Sequence, residues 1–345
     1  MLINELKLAK ELIRKPSVTP KDAGAINVVA KNLKSLGFKC QFINFENIKN
    51  LYAKLGTSSP NFCYAGHTDV VPPGNINDWT VHPFKPTVKN NKLIGRGAND
   101  MKASIACFVA AASRFKAKNE KFRGSISLLI TGDEEGIAIN GTKKVVEYLK
   151  KKKEKIDFCI VGEPTNPNKL GEMIKIGRRG SITGRLTIFG TQGHVAYPNK
   201  ANNPANAMIK ILKKIKEIKL DNGTKNFQAS NLEITKINID NHADNVIPGS
   251  ANAVFNIRFN NKHSSNSLKR KFNTIFETMI KKAKCKFNIN YQVSGESFLT
   301  KPNKTTYMIQ NTIKKITNIT PTLSTTGGTS DARFIRKIAP CLEFG

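Results

Sequence analysis

Short apolar runs alternate with amphipathic stretches through the first half of the chain. Apolar residues at helical spacing predict helices over Ile3 to Arg14, Ala23 to Leu36, Met101 to Lys116 and Thr142 to Lys151. In the first of these, Leu2, Ile3, Leu6, Ala9, Leu12 and Ile13 form the expected buried stripe. The continuous runs Phe62 to Ala65, Ser125 to Thr131 and Phe158 to Val161 have the length and content of buried strands. Such alternation predicts an α/β layer, a mixed and largely parallel sheet with helices on both faces.

The pattern changes after Gly177-Arg178-Arg179-Gly180. Ile182, Gly184, Leu186 and Ile188 alternate with Thr183, Arg185 and Thr187, the period of a half-buried strand. A helix from Pro204 to Ile218 follows, with Met208, Ile211, Leu212, Ile215 and Ile218 on one face. Strands at Leu232 to Ile239 and Ala251 to Phe259, a helix at Ser265 to Ala283 and a strand at Lys286 to Val293 complete the order β-α-β-β-α-β. That is the split arrangement of a small ferredoxin-like α+β domain. The α/β rhythm resumes from Gly295, with helices at Thr305 to Thr317 and after Gly328. The expected organisation is therefore a domain of residues 1–178 and 294–345, interrupted by an inserted domain of residues 179–293.

A length of 345 residues with 39% hydrophobic content agrees with two cores rather than one. No apolar run approaches the roughly 18 to 20 residues of a membrane-spanning helix, so no membrane partner is expected. The first 15 residues lack the apolar core of a secretory signal, and Glu5 and Glu11 are foreign to an acid-poor transit peptide. The six cysteines are widely spaced without a C-x-x-C pair, which points to reduced, buried thiols and a cytoplasmic location. The formal charge of +31 raises the question of nucleic acid. The lysines, however, are scattered along the chain. Their densest run, Lys150 to Lys153 with Lys155, follows a helix whose C-terminus favours cations. A small-molecule substrate, and no nucleic acid, is the expected partner.

Candidate chemistry gathers at strand ends. Gly66-His67-Thr68-Asp69 follows the run ending at Ala65, Gly132-Asp133-Glu134-Glu135-Gly136 follows Thr131, and Gly162-Glu163-Pro164 follows Val161. In open parallel sheets the ligand cleft lies beyond the carboxyl ends of the strands. The i, i+2 spacing of His67 and Asp69 puts both side chains on one side of an extended chain, so that a carboxylate can accept the free ring N–H of a metal-bound histidine. Asp100, in Gly95-Arg96-Gly97-Ala98-Asn99-Asp100, reads by itself as the cap of the helix opening at Met101. One imidazole and several carboxylates in one cleft repel strongly without a cation, which makes a divalent metal centre the economical reading. Oxygen and nitrogen donors without thiolate suit zinc, cobalt or manganese, and a bridging carboxylate permits two ions. Of the adjacent Glu134 and Glu135, one can bind metal while the other faces water as a general base. The implied reaction is hydrolysis of an acyl bond.

The segments Gly66-His67-Thr68-Asp69-Val70-Val71-Pro72, Gly95-Arg96-Gly97-Ala98-Asn99-Asp100-Met101-Lys102, Asp133-Glu134-Glu135-Gly136 and Val161-Gly162-Glu163-Pro164 resemble, in order and spacing, the di-zinc aminoacylase/carboxypeptidase (M20-type) family of metallohydrolases. Further segments are Asn140-Gly141-Thr142, Gly177-Arg178-Arg179-Gly180-Ser181, Gly193-His194-Val195-Ala196-Tyr197-Pro198, Asn245-Val246-Ile247-Pro248 and Gly327-Gly328-Thr329-Ser330-Asp331. These are similar to the members that release succinate from N-succinyl-LL-2,6-diaminopimelate on the route to diaminopimelate and lysine. The resemblance spans essentially the whole chain.

It implies two zinc ions per subunit, replaceable by Co2+. His67 and Glu163 would hold one ion, Asp100 would bridge, Glu135 would hold the second, Asp69 would orient His67, and Glu134 would be the general base and acid. The inserted domain would dimerise, and His194 would reach the partner subunit's site to stabilise the oxyanion. Lys175, Arg178 and Arg258 would clamp the substrate's carboxylates. Tyr197 and Asn245 would add hydrogen bonds, and Gly328 and Thr329 would offer backbone N–H groups at the opening of a helix. Family members carry a second-zinc histidine beyond the segment matching Cys341-Leu342-Glu343-Phe344-Gly345, and His82, His242 and His263 do not replace it. The expectation is a truncated chain with a weakly occupied second site. Rival readings are N-acetylornithine deacetylation, an aminoacylase or dipeptidase, and a metal-poor or nucleic-acid-binding protein that kept the fold.

Overall fold

The structure, a computed structural model, describes residues 2–345. From the N-terminus come α1 (Glu5–Ile13), α2 (Ala25–Ser35), β1 (Lys39–Phe42), β2 (Asn50–Leu55), β3 (Asn61–His67), the small pair β4 (Thr87–Lys89) and β5 (Lys92–Ile94), α3 (Ala103–Lys118), β6 (Ser125–Thr131), α4 (Thr142–Lys151), β7 (Phe158–Val161) and β8 (Met173–Lys175). Next follow β9 (Gly177–Arg178), β10 (Gly180–Phe189), β11 (Gly193–His194), α5 (Pro204–Lys216), β12 (Asn231–Asn238), β13 (Val246–Ile247), β14 (Ser250–Phe259), α6 (Ser265–Ala283), β15 (Lys286–Gly295) and β16 (Phe298–Leu299). The chain continues with α7 (Lys304–Thr317), β17 (Thr322–Ser324), α8 (Ala332–Ile335) and β18 (Cys341–Glu343).

Two compact units result. The first contains residues up to Ile176 with Thr300–Ser324 and Ser330–Gly345, and the second contains Gly177–Leu299 with Thr325–Thr329. The first unit is built on a mixed, largely parallel eight-stranded sheet in the order β1-β2-β6-β3-β7-β18-β8-β17. Strands β6, β3, β7 and β18 run parallel, while β1 and β2 pair antiparallel at one edge. Leu8 and Leu12 of α1, Ile26 and Leu33 of α2, and Ile105 and Val109 of α3 pack with Leu51, Tyr64, Leu128 and Ile130 of the sheet. Burying each such Leu or Ile is worth about 1.5–3 kcal/mol, which fixes the register of the strands beneath.

The second unit has a four-stranded antiparallel sheet in the order β12-β14-β10-β15, packed against α5 and α6. Ile182, Leu186 and Ile188 of β10 point into its core with Phe255, Phe272 and Phe276, while the alternate residues of β10 stay outside. Gly184 is required there, because a Cβ would run into the ring of Phe255. Ser264 and Ser267 cap α6 reciprocally, an arrangement worth about 1 kcal/mol.

Several local expectations are corrected. The buried stripe of α1 is Leu8, Ala9, Leu12 and Ile13 with Ile3, whereas Leu2 and Leu6 face solvent, because the helix starts two residues later than its periodicity suggested. α3 begins at Ala103, after a wide turn at Ala98–Lys102 in which Asp100 is extended, so Asp100 is not the cap of that helix. Gly328 and Thr329 do not open a helix either: α8 starts at Ala332 and has 4 residues, leaving no helix N-terminus at the glycine pair. Strands β1, β8 and β17, of 4, 3 and 3 residues, are too short to show a period. All six cysteines are free, but only Cys63, Cys159 and Cys341 are buried. These three stand side by side across β3, β7 and β18, Cys63 and Cys341 each in register with Cys159.

A candidate metal centre at three parallel strand ends

Strand register creates the site. β3 lies between β6 and β7, with His67 opposite Thr131 and Ala65 opposite Val161. The residues that follow these partners, Gly132 to Glu135 and Gly162-Glu163, therefore leave the sheet beside His67. Gly162 is the only residue type that fits at the β7 exit, since a Cβ would collide with the Tyr64 hydroxyl, which is itself held 2.8 Å from Ser104 Oγ. Asp100 arrives from the turn before α3, its Oδ1 3.1 Å from His67 Nε2, and Glu163 Oε1 is 3.7 Å from the same nitrogen.

Two overlapping groups of donor atoms form, each with all atoms within 4.8 Å of one another: His67, Asp100 and Glu135, and His67, Glu134 and Glu163. His67, Asp69 and Glu163 are buried, and Glu134 and Glu135 are half-buried. Burial alone would lower the pKa of His67, but the Asp100 hydrogen bond and the charges of Glu163, Asp69 and Glu134 outweigh it and raise the pKa well above the ordinary range. Burial, and then the neighbouring acids, hold the Glu134, Glu135 and Glu163 carboxyls above theirs. This donor set fits a divalent cation: hard oxygen and imidazole ligands converge, and the charge crowding is of the kind a cation relieves.

The loops around the donors are tied down by carboxylates. Asp69 was expected to orient the His67 ring through its carboxylate. Instead, His67 Nδ1 lies 2.9 Å from the main-chain carbonyl of Asp69, with the nearest carboxylate oxygen at 3.6 Å. That carboxylate accepts hydrogen bonds from the backbone N–H of Glu134, at 3.2 and 3.1 Å, and of Glu135, at 3.0 Å. Asp133 does the same one turn further, accepting from the N–H groups of Ala138, Ile139 and Asn140 at 3.2, 3.0 and 3.0 Å. Sequence reasoning gave no task to Asp133, nor to the buried Asp331 and Lys102 and the half-buried Arg333. Their only signal was a charge inside an otherwise apolar or glycine-rich segment. Asp331 has Arg333 Nη2 3.9 Å from its Oδ1, and its pKa is raised by burial.

The remaining expected residues are placed as follows. Lys175 belongs to the first unit, buried on β8 with Nζ 2.8 Å from Met173 Sδ and 3.5 Å from Ser324 Oγ. The others belong to the second unit. His194 is exposed on β11, its ring 5.9 Å from that of the exposed Tyr197, and Asn245 accepts the Val195 N–H through its carbonyl, so these three share one surface. Arg178 is buried and donates from Nη1 to the carbonyl of Thr326 at 3.2 Å, beside the exposed Gly327 and Gly328. Arg258 is half-buried on β14, opposite Ser181 and Asn231, and burial lowers its pKa. Thr329 follows the glycine pair and is half-buried.

The family model described as Peptidase family M20/M25/M40 matches residues 63–345. The chain is 70% identical over 347 residues to a succinyl-diaminopimelate desuccinylase of Pelagibacter ubique (strain HTCC1062), covering 99% of this chain and 90% of that protein. It is 52% identical to a protein of the same name from Parvibaculum lavamentivorans (strain DS-1 / DSM 13023 / NCIMB 13966), covering 99% and 87%. Among solved structures it is similar to aminopeptidase PepT from Bacillus cereus ATCC 10987, with TM-score 0.78, 19% identity and coverage of 99% and 90%. It is also similar to the M20 family metallo-carboxypeptidase Sso-CP2 from Sulfolobus solfataricus, with TM-score 0.77, 18% identity and coverage of 99% and 91%. At these identities the two structures speak for the fold.

Proposed function

Because the chain belongs to the peptidase family M20/M25/M40, we propose that it is a metal-dependent amide hydrolase that converts N-succinyl-LL-2,6-diaminopimelate and water to succinate and LL-2,6-diaminopimelate, a step of lysine and diaminopimelate biosynthesis in the cytoplasm. The observation that carries the substrate is the 70% identity over 99% of the chain to a protein of that name. The identity of 47% persists in a similarly named protein from Wolbachia pipientis wMel. Among the described residues no helix is long and apolar enough to cross a membrane.

His67, Asp100, Glu135 and Glu163 would hold the metal, zinc or Co2+, with Asp100 as the ligand that two ions would share. When bound, the ions lower the pKa of water and polarise the scissile carbonyl. Glu134 would take the proton from the attacking water and hand it to the departing amine, the role of a carboxyl that stands beside the donors without being needed as a ligand. Asp69 keeps that base in place through the backbone of residues 134 and 135. Asp100 and Glu135 would be ligands of the second ion.

The second unit would pair with its copy in a partner subunit, and His194 would steady the oxyanion in the partner's site. Exposed Ile209 on α5 and Ile237 on the edge strand β12 support such pairing. The three substrate carboxylates would be met by Lys175, Arg178 and Arg258, with Tyr197, Asn245, Gly328 and Thr329 adding hydrogen bonds. The decisive assay compares succinate release from N-succinyl-LL-2,6-diaminopimelate with acetate release from N-acetylornithine. We expect kcat/KM to favour the former by at least roughly a hundred-fold, because carboxylate-binding groups left unpaired penalise the smaller acyl group. A preference for the acetyl substrate would overturn the assignment.

A further inference from the structure

Among the described residues Lys102 is the largest fully buried side chain, with 0% of its surface exposed. Its one hydrogen bond runs from Nζ to the main-chain carbonyl of Lys15 at 2.7 Å. Among the described residues no carboxylate lies within ion-pair distance of it, and burial lowers its pKa to about 8 against the opposing pull of the Asp69 and Asp22 charges. An ammonium so buried costs several kcal/mol, and a methionine of similar shape would pack without that cost. The charge therefore answers a demand of its surroundings.

Those surroundings are two segments, one that carries Asp100 and one that is tied to the loop after His67. Lys15 follows the C-terminal end of α1, where a cation meets unsatisfied carbonyls. The next residues are zipped to the loop after His67: Val70 N–H donates to Ser17 O at 3.0 Å, Thr19 N–H to Val70 O at 3.0 Å, and Ser17 Oγ to Thr68 O at 2.7 Å. At its other end, the Lys102 N–H donates to Gly97 O at 2.9 Å and closes the turn that presents Asp100. The side chain passes between these segments beside Gly97, whose φ is +79° and where a Cβ would lie 2.8 Å from Val70 Cγ1 and 3.0 Å from Lys102 Cδ.

We propose that Lys102 is a positioning residue of the metal centre: it bolts the Asp100 turn to the segment that fixes the His67–Val70 loop, and it supplies a fixed positive charge beneath the carboxylates. This rests on the metal reading above. Asp69, Asp100, Glu134, Glu135 and Glu163 bring more negative charge than two divalent ions neutralise, and Lys102 is a buried cation on the Asp100 turn that the charge of Asp69 attracts.

The test uses Lys102→Met and Lys102→Gln with Co2+ as the probe. Co2+ affinity is measured by chelator competition, coordination by the visible absorption of the bound ion, and folding by the melting temperature of the metal-free protein. We expect apo melting equal to or above that of the unsubstituted protein, an altered Co2+ spectrum, and affinity weaker by roughly ten- to a hundred-fold, as for other groups that orient metal ligands. kcat should fall in step, with KM little changed. Unchanged Co2+ affinity and spectrum in both variants overturn the inference alone. So does a loss of affinity matched by an equal loss of apo stability, since Lys102 would then be merely structural. An unsubstituted protein that takes up no Co2+ overturns the metal reading and this inference with it.

Discussion

The backbone N–H of Glu134 donates to both carboxylate oxygens of Asp69, at 3.2 and 3.1 Å. The proposed base is thus held from beneath by an acid on the neighbouring strand end, while the His67 ring is fixed by the carbonyl of that same acid. Replacing Asp69 with asparagine turns one acceptor into a donor facing those N–H groups and leaves the carbonyl alone. kcat of Asp69→Asn should fall about a hundred-fold, with Co2+ affinity changed less than that. Equal losses in both, read from turnover and chelator competition on the same sample, would show that the carboxylate serves the metal instead.

Glu134 sits within donor distance of His67 and Glu163, which leaves it two roles, base or ligand. As a base, Glu134→Ala should lower kcat by about 10²–10⁴-fold with metal content unchanged. Metal analysis of the variant decides, since a fall in bound ions would make Glu134 a ligand.

If His194 acts across a dimer, two inactive variants should rescue each other. Random mixing of Glu134→Ala with His194→Ala subunits gives hybrids in which one site of two is complete, so about a quarter of the activity of the unsubstituted protein should return. No recovery after subunit exchange would place His194 with its own subunit's site.

Gly162→Ala pushes a methyl group into the Tyr64 hydroxyl at the exit of β7. The strain should cost about 1–3 kcal/mol of stability, and because Glu163 comes next, metal affinity should fall as well. A calorimetric melt with and without Co2+ reads both effects. An unchanged melt would mean that Tyr64 swings aside.

Asp221, in the second unit, offers a pH handle far from the donors. Burial opposes its charge, but hydrogen bonds from Ser230, the Gly223 N–H and Asn260 prevail and bring its pKa to about 2, with His263 Nε2 3.2 Å away. A pKa lower in the folded than in the unfolded chain gives stability that is complete above about pH 4 and is lost as pH falls toward 2, worth about 2 kcal/mol. Denaturant midpoints should therefore drop across this window in the native protein. In Asp221→Asn they should start lower at neutral pH and change less, and parallel curves would contradict the assignment.

Much of the architecture was legible because it rests on period. Ile182, Leu186 and Ile188 alternate as strand residues must, Ser265–Ala283 repeats its apolar face every turn, and the donors follow apolar runs whose ends are easy to see. What stayed hidden depends on distance in space. Nothing local distinguishes a carboxylate that accepts from a ring from one that accepts from a neighbouring loop, as Asp69 does. Asp100 resembled a helix cap because its segment precedes α3, and only its extended dihedrals separate it from the helix. Lys102 was one lysine among many, and only burial singles it out.

The row formed by Cys63, Cys159 and Cys341 has a practical consequence for anyone handling the protein in air. Burial holds the thiols of Cys159 and Cys341 protonated, Cys341 with a pKa pushed up to about 12, so little nucleophilic sulfur exists inside the sheet to meet peroxide or an alkylating reagent. Cys107, exposed on α3, is the sulfur most open to a reagent, ahead of the half-buried Cys40 and Cys285. A maleimide dye would mark that helix and leave the strands under the donors untouched.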